Sequence, residues 1–228
     1  MSNDTCIAGK SAGSVLLQLL VSLVLFLTTV ALALFVPAGI DWTEGWIFLA
    51  VFALQLAIAA VYLWRTNAEI FVARSKFHAG TKSWDWAAIS LLIPSFIAIF
   101  PVAGLYHGSS LWIIALGYVL LTVGMAGMVW VQVVNKFAEA SVRIQPGQKV
   151  IDTGPYAIVR HPMYAASYPL FAGIPLSLGS HRALIPVAVV AVLVVLRTAL
   201  EDRMLHKELP GYREYARRVR YRLLPGVW

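Results

Sequence analysis

The chain predicts an all-α, polytopic membrane bundle, and three observations carry that prediction. Hydrophobic residues fill 60% of its 228 positions and charged residues only 13%, where a soluble domain averages about 25% charged. Mean hydropathy is +0.76. The apolar residues gather into runs of about 20, the length that crosses the hydrocarbon core as a helix, and the basic residues fall between the runs. A lone segment in lipid must satisfy its own backbone, so the runs are helices. The net charge of +7 would suit nucleic acid, but its placement in short loops and in the tail is membrane topology, and no nucleic-acid partner is expected.

Taken in order, the polar N-terminal segment holds the single cysteine, Cys6, which leaves no internal disulfide and no cysteine-based metal site. The first span, 14–36, is too long for a signal-peptide core, and no small-residue cleavage site follows it, so it reads as a retained helix. The second is 45–64. Residues 67–83 are too charged to span; Ile70, Phe71 and Phe77 among Arg74, Lys76 and Lys82 suit a segment on the membrane surface or a solvated loop. Spans 86–106 and 110–134 follow, the latter with Gly117, Gly124, Ala126 and Gly127, small residues that let another helix approach closely. Region 163–200 is interrupted by Pro169, Gly173, Pro175 and Gly179, and Ser180-His181-Arg182 offers a turn. It reads as a helical hairpin with a short or kinked first arm. That makes about six membrane-spanning segments, or five if this arm falls short. One domain covers 1–228, with spanning helices in 1–142 and the ligand-binding core and tail in 143–228.

Positive charge orients the bundle. With alternating helices, Lys10, Arg65, Arg74, Lys76, Lys82, Lys136, Arg143, Lys149, Arg160 and the tail share one side, which is cytoplasmic by the positive-inside rule. Both termini are then cytoplasmic, in a bacterial inner membrane. Trp42, Trp46, Trp64, Trp84, Trp86 and Trp112 lie near span ends, where indole rings anchor at the interface.

The chemistry gathers at that face. Pro162 suits the first turn of a helix, so Arg160 and His161 stand at the mouth of the helix carrying Tyr164 and Tyr168, where free N–H groups attract anions. Glu201-Asp202-Arg203 ends the hairpin's second arm, and adjacent helical positions point about a hundred degrees apart, so one carboxylate is expected to share the pocket with His161. No metal site is expected, because the histidines are scattered over both sides. No Gly-x-Ser-x-Gly elbow supports hydrolysis. Cation, anion-binding helix start, carboxylate and aromatics together suit a zwitterionic, ring-bearing ligand such as S-adenosylmethionine, and equally a nucleotide.

Gly154-Pro155-Tyr156, Arg160-His161-Pro162-x-Tyr164, the acidic pair Glu201-Asp202, then Tyr212, Tyr215 and Arg218-Val219 together resemble the isoprenylcysteine carboxyl methyltransferase and phospholipid methyltransferase superfamily, most densely over 143–222. The resemblance implies an integral-membrane methyltransferase whose S-adenosylmethionine is enclosed at the cytoplasmic face while a lipid-like substrate enters from the bilayer. Carried over by motif, it makes Gly154, Tyr156, Arg160, His161, Pro162, Tyr164, Glu201 and Asp202 the cofactor-site residues. Arg160, Glu201 and Arg218 are the catalytic candidates, with Arg218 orienting substrate or closing the tail. The family commonly has Glu-Glu where this chain has Glu201-Asp202, so Glu201 takes the stronger claim. Carboxyl O-methylation is the favoured reaction, beside N- or S-methylation and phospholipid N-methylation. Other readings are an NADPH-dependent sterol-type reductase, whose Arg-His-Pro-Asn-Tyr element differs at Met163, and a membrane scaffold or transporter.

Overall fold

The computed structural model describes residues 12–74 and 80–228; the expectations for Cys6, Lys10, Lys76 and Phe77 lie outside them. Among the described residues the regular structure is helical, without strands. Five stretches are long and apolar enough to cross a membrane: Leu16–Ala38, Thr43–Thr66, Ser83–Leu105, Leu111–Val134 and Leu184–Glu208. The first lies within α1 (Ala12–Ala38) and the second is α2 (Thr43–Thr66). A short α3 (Glu69–Arg74) follows. The third is broken into α4 (Ser83–Ile97) and α5 (Ile99–Leu105), because Pro101 has no N–H for the Ile97 carbonyl and its ring crowds that turn. The fourth is α6 (Leu111–Val134) and the fifth is α8 (Leu184–Glu208).

The sixth expected span is α7 (Pro162–Ser177), only 16 residues long. It is the short arm of the hairpin. It nevertheless runs antiparallel along most of α6, because glycines remove the side chains between them. A Cβ on Gly124 would lie 2.4 Å from the Leu170 nitrogen, one on Gly117 2.0 Å from the Ser177 nitrogen, and one on Gly173 2.3 Å from the Leu121 nitrogen. At the far end the Ser109 N–H donates to the Gly179 carbonyl at 3.0 Å, so both arms of the hairpin return α8 to the end where α7 began.

Val30, Leu34, Phe48, Phe52, Ile99, Phe100, Leu121 and Ile174 form the central core, while Leu17, Val24, Ile58, Val119 and Val192 face outward. An outward apolar surface is what lipid requires and water forbids. Beyond α8, Gly211 at φ +81 turns the chain into α9 (Tyr212–Arg218). Tyr212 and Tyr215 are buried with Val142, Met204 and Leu205, and the tail then pairs with the start of α7, the Arg160 N–H donating to the Tyr221 carbonyl and the His161 N–H to that of Arg222.

Candidate active site

The segment leading into α7 is fixed residue by residue. Gly154, at φ +57, opens a 3-10 turn (Gly154–Ala157) against Val134; it shapes the backbone and stands outside the cavity lining. The Tyr156 hydroxyl accepts from Asn135 Nδ2 at 2.6 Å, and the Tyr156 carbonyl accepts from the Tyr215 hydroxyl at 2.8 Å. Burial pushes the Tyr156 phenol up to about 12, so it stays protonated. Pro162 takes the first position of α7, leaving the Met163 and Tyr164 N–H groups without helical acceptors.

Asp202 organises this end of the molecule. Its carboxylate accepts Arg160 Nε at 2.9 Å and Nη2 at 3.1 Å, the Tyr212 hydroxyl at 2.9 Å and Arg222 Nε at 2.8 Å, with His161 Nε2 at 3.2 Å. Arg160 Nη1 donates to the Val219 and Arg220 carbonyls. Arg160 therefore clamps α8 and the tail to the start of α7, with four of its five N–H donors on protein groups. Burial, with the Asp202 charge, also pushes the Tyr212 phenol up. The sequence expectation ranked Glu201 above Asp202; the structure divides the roles instead, with Asp202 the buried anchor and Glu201 facing the cavity. Glu201 Oε2 accepts the Tyr164 hydroxyl at 2.5 Å, and the residue lines the cavity. The Arg218 side chain is two-thirds exposed, pairs with Asp152 at 2.8 Å and stands apart from the cavity lining.

Several groups escaped the sequence reading. Arg197 donates to Asp85 through Nε at 2.7 Å and Nη2 at 3.2 Å, and to the Ala140 carbonyl at 2.9 Å. Asp85 also accepts the Val142 N–H at 2.7 Å. Arg74 Nη1 donates to the carbonyls of Ala138 and Glu139, and burial, with the nearby Arg197 charge, pushes its guanidinium down. The buried Asp85 and the part-buried Arg74 and Arg197 thus pin residues 138–142 as a strap. A charge inside or beside an apolar run is itself a site signal, and Asp85 and Arg197 carry it.

Strap, α7, α8 and tail enclose a cavity of about 680 Å³. Its middle is polar, lined by Arg74, Ser141, Tyr156, Tyr164, Arg197 and Glu201. One end, under Val150, Met204, Leu205, Leu209, Tyr212 and Tyr215, is apolar and aromatic. The opposite end runs between α1 and α4, lined by Phe26, Val30, Ala33, Leu92, Ile93 and Phe96.

The curated relatives include the nickel-cobalt-cadmium resistance protein NccN of Alcaligenes xylosoxydans xylosoxydans, 30% identical over 135 residues that cover 56% of this chain and 59% of that protein. The cobalt-zinc-cadmium resistance protein CzcN of Cupriavidus metallidurans is 32% identical over 131 residues, 54% of this chain and 58% of that protein. The matched stretch is thus under two thirds of either relative's length. The family match reaches α6, α7 and α8, and so both the Arg160-His161-Pro162 turn and the Glu201-Asp202 pair. Residues 106–210 match the phospholipid methyltransferase family, which stands in the isoprenylcysteine carboxyl methyltransferase-like superfamily.

Proposed function

We propose that the protein is an S-adenosylmethionine-dependent membrane methyltransferase acting on a lipid-like acceptor at the cytoplasmic face of a bacterial inner membrane. The observation that supports it above all is one cavity joining a polar middle to two apolar ends, a shape suited to an amphipathic cofactor and an apolar chain meeting head to head. The basic residues at this end of the bundle support the orientation.

The lining fits the cofactor's chemistry. Glu201 Oε1 offers an acceptor for an ammonium group, the aromatic end suits an adenine ring, and the buried Ser141 hydroxyl has no protein partner. When bound, the cofactor supplies a methyl group already activated on a sulfonium. Everything else falls to the chain. The Tyr164 hydroxyl holds Glu201 in one rotamer, so its negative charge is aimed before any ligand arrives. The Asp202 cluster fixes the start of α7, and the strap excludes water from the middle of the cavity. Positioning of this kind can supply several kcal/mol without covalent catalysis. The superfamily resemblance favours a carboxylate acceptor, which needs no base. An amine acceptor would have to lose its proton as well as accept the methyl group.

The test is incubation of membranes containing the protein with methyl-labelled S-adenosylmethionine. Label is expected in the lipid-soluble fraction, base-labile for a methyl ester and base-stable for an N-methyl product. Thermal stabilisation by NADPH, with none by S-adenosylhomocysteine and no label transferred, would overturn the reading in favour of a reductase.

A further inference from the structure

The cavity's charge is incompletely matched within the protein. Arg160 is neutralised by Asp202, Arg197 by Asp85 and Arg143 by Glu139. Among the described residues Arg74 has the carbonyl oxygens of Ala138 and Glu139 as its hydrogen-bond partners, through Nη1, with no acceptor there for its remaining donors. It lines the cavity. An arginine withdrawn from water without an anion is costly, and a guanidinium presents a planar fork matched to a carboxylate.

A second, independent group lies on the same strap. Ser141 is 6% exposed, lines the cavity, and its Oγ has no hydrogen-bond partner. An orphaned buried hydroxyl in a native site calls for a partner that arrives from outside the protein. Its position is fixed on both sides, since Arg197 holds the Ala140 carbonyl and Asp85 holds the Val142 N–H. Because Arg74 holds the carbonyls two and three residues before Ser141, guanidinium and hydroxyl are set on one stretch of backbone. Arg160, the sequence's choice for anion recognition, has four of its five N–H donors on protein acceptors and its charge matched by Asp202.

We propose that Arg74 and Ser141 form a carboxylate-binding subsite that takes the α-carboxylate of the methyl donor. This rests on the methyltransferase reading above. Glu201, across the polar middle, then faces the ammonium, and the ligand's two opposite charges each meet a protein group of opposite sign. The same chemistry would accept the carboxylate of an acid acceptor, so the experiment must separate the two sources.

Calorimetric titration of the full chain in detergent makes the separation with three probes. S-adenosylhomocysteine carries the α-carboxylate, 5′-methylthioadenosine lacks the amino-acid portion, and dodecanoate, added to protein saturated with S-adenosylhomocysteine, stands for an acid acceptor. Arg74→Gln is expected to lower affinity for S-adenosylhomocysteine about ten- to hundredfold and Ser141→Ala about three- to tenfold, with methylthioadenosine unchanged in both. Ser141→Ala leaves the strap's backbone bonds in place, so it keeps the test open if the arginine variant fails to fold. A loss confined to dodecanoate would keep the subsite and assign it to the acceptor. Parallel loss of S-adenosylhomocysteine and methylthioadenosine would show a structural role and overturn the proposal, as would unchanged affinity for all three. A wild-type protein that binds neither nucleoside overturns the donor reading and this subsite with it.

Discussion

Glu201 and Asp202 are consecutive carboxylates with different duties, and the difference follows from where one turn of α8 points each of them. Asp202 is almost wholly buried among two arginines, a tyrosine and a histidine, so its removal strands positive charge in a closed space. Breaking a buried ion pair from one side costs about 3–5 kcal/mol. Asp202→Ala should therefore lower the melting temperature in detergent sharply and abolish ligand binding only as a consequence of unfolding. Glu201→Gln has a single protein partner to disturb, Tyr164, and should keep the fold while weakening S-adenosylhomocysteine binding about ten- to hundredfold. A melt that falls equally for both variants would contradict this division. The sequence placed both residues at the site but could not assign the duties. The angle between neighbours on a helix says that one carboxylate turns away, and only the fold says what it turns toward. Arg160 was legible in the same partial way: its place beside the pair was evident, its commitment to the Val219 and Arg220 carbonyls was not, because that depends on a tail folding back across sixty residues.

At the scale of elements, hydrophobic run length located the first four long spans within a few residues, since crossing lipid imposes one length on every helix that does it. The break at Ala98 and the 16-residue length of α7 lay beyond that criterion. Proline position explains the first and the tight α6–α7 seam explains how the second is tolerated. The small residues of α6 read simply as a packing surface, and the structure gives that surface its partner. Gly117 faces backbone, with a Cβ there meeting the Ser177 nitrogen at 2.0 Å, so no rotamer change can relieve an added methyl. Gly127 faces mainly the Ala166 side chain, at 2.9 Å, which a small shift relieves. Gly117→Ala should therefore destabilise by about 1–3 kcal/mol, as overpacking does, and Gly127→Ala by less. Urea or thermal inactivation of methyl transfer would rank the two, and the reverse order would mean that the α6–α7 seam is looser than drawn.

Across the whole molecule, the same cavity serves polar and apolar chemistry because α1 and α4 line one end with apolar side chains, Phe26 and Ile93 among them exposed on the outer surface, while the strap and tail line the other. The charge sorting anticipated that Lys149 and Lys207 share one end: Val150 packs into the cluster holding Leu209 and Tyr212, whereas Gly179 meets Ser109 at the opposite end. The strap escaped notice since residues 135–153 have no periodicity, and the order of 138–142 comes from charged side chains on three separate helices.

Phe26, Thr29, Val30 and Ala33 recur at helical spacing on α1 and line the α1–α4 end of the cavity, although most of this helix faces outward. If that end receives the acceptor's apolar chain and the other receives the cofactor's ring, filling it from α1 should separate the two binding events. Ala33→Phe, and independently Thr29→Phe one turn earlier on the same face, should leave S-adenosylhomocysteine affinity within about twofold while methyl transfer falls about tenfold for each ~1.4 kcal/mol of acceptor binding lost. Two positions guard against a local packing fault mimicking the effect, since overpacking would lower the melting temperature as well as the rate. Equal losses of nucleoside binding and transfer in both variants, with melting unchanged, would mean that the cofactor itself occupies the α1–α4 end and that the acceptor approaches from the strap side.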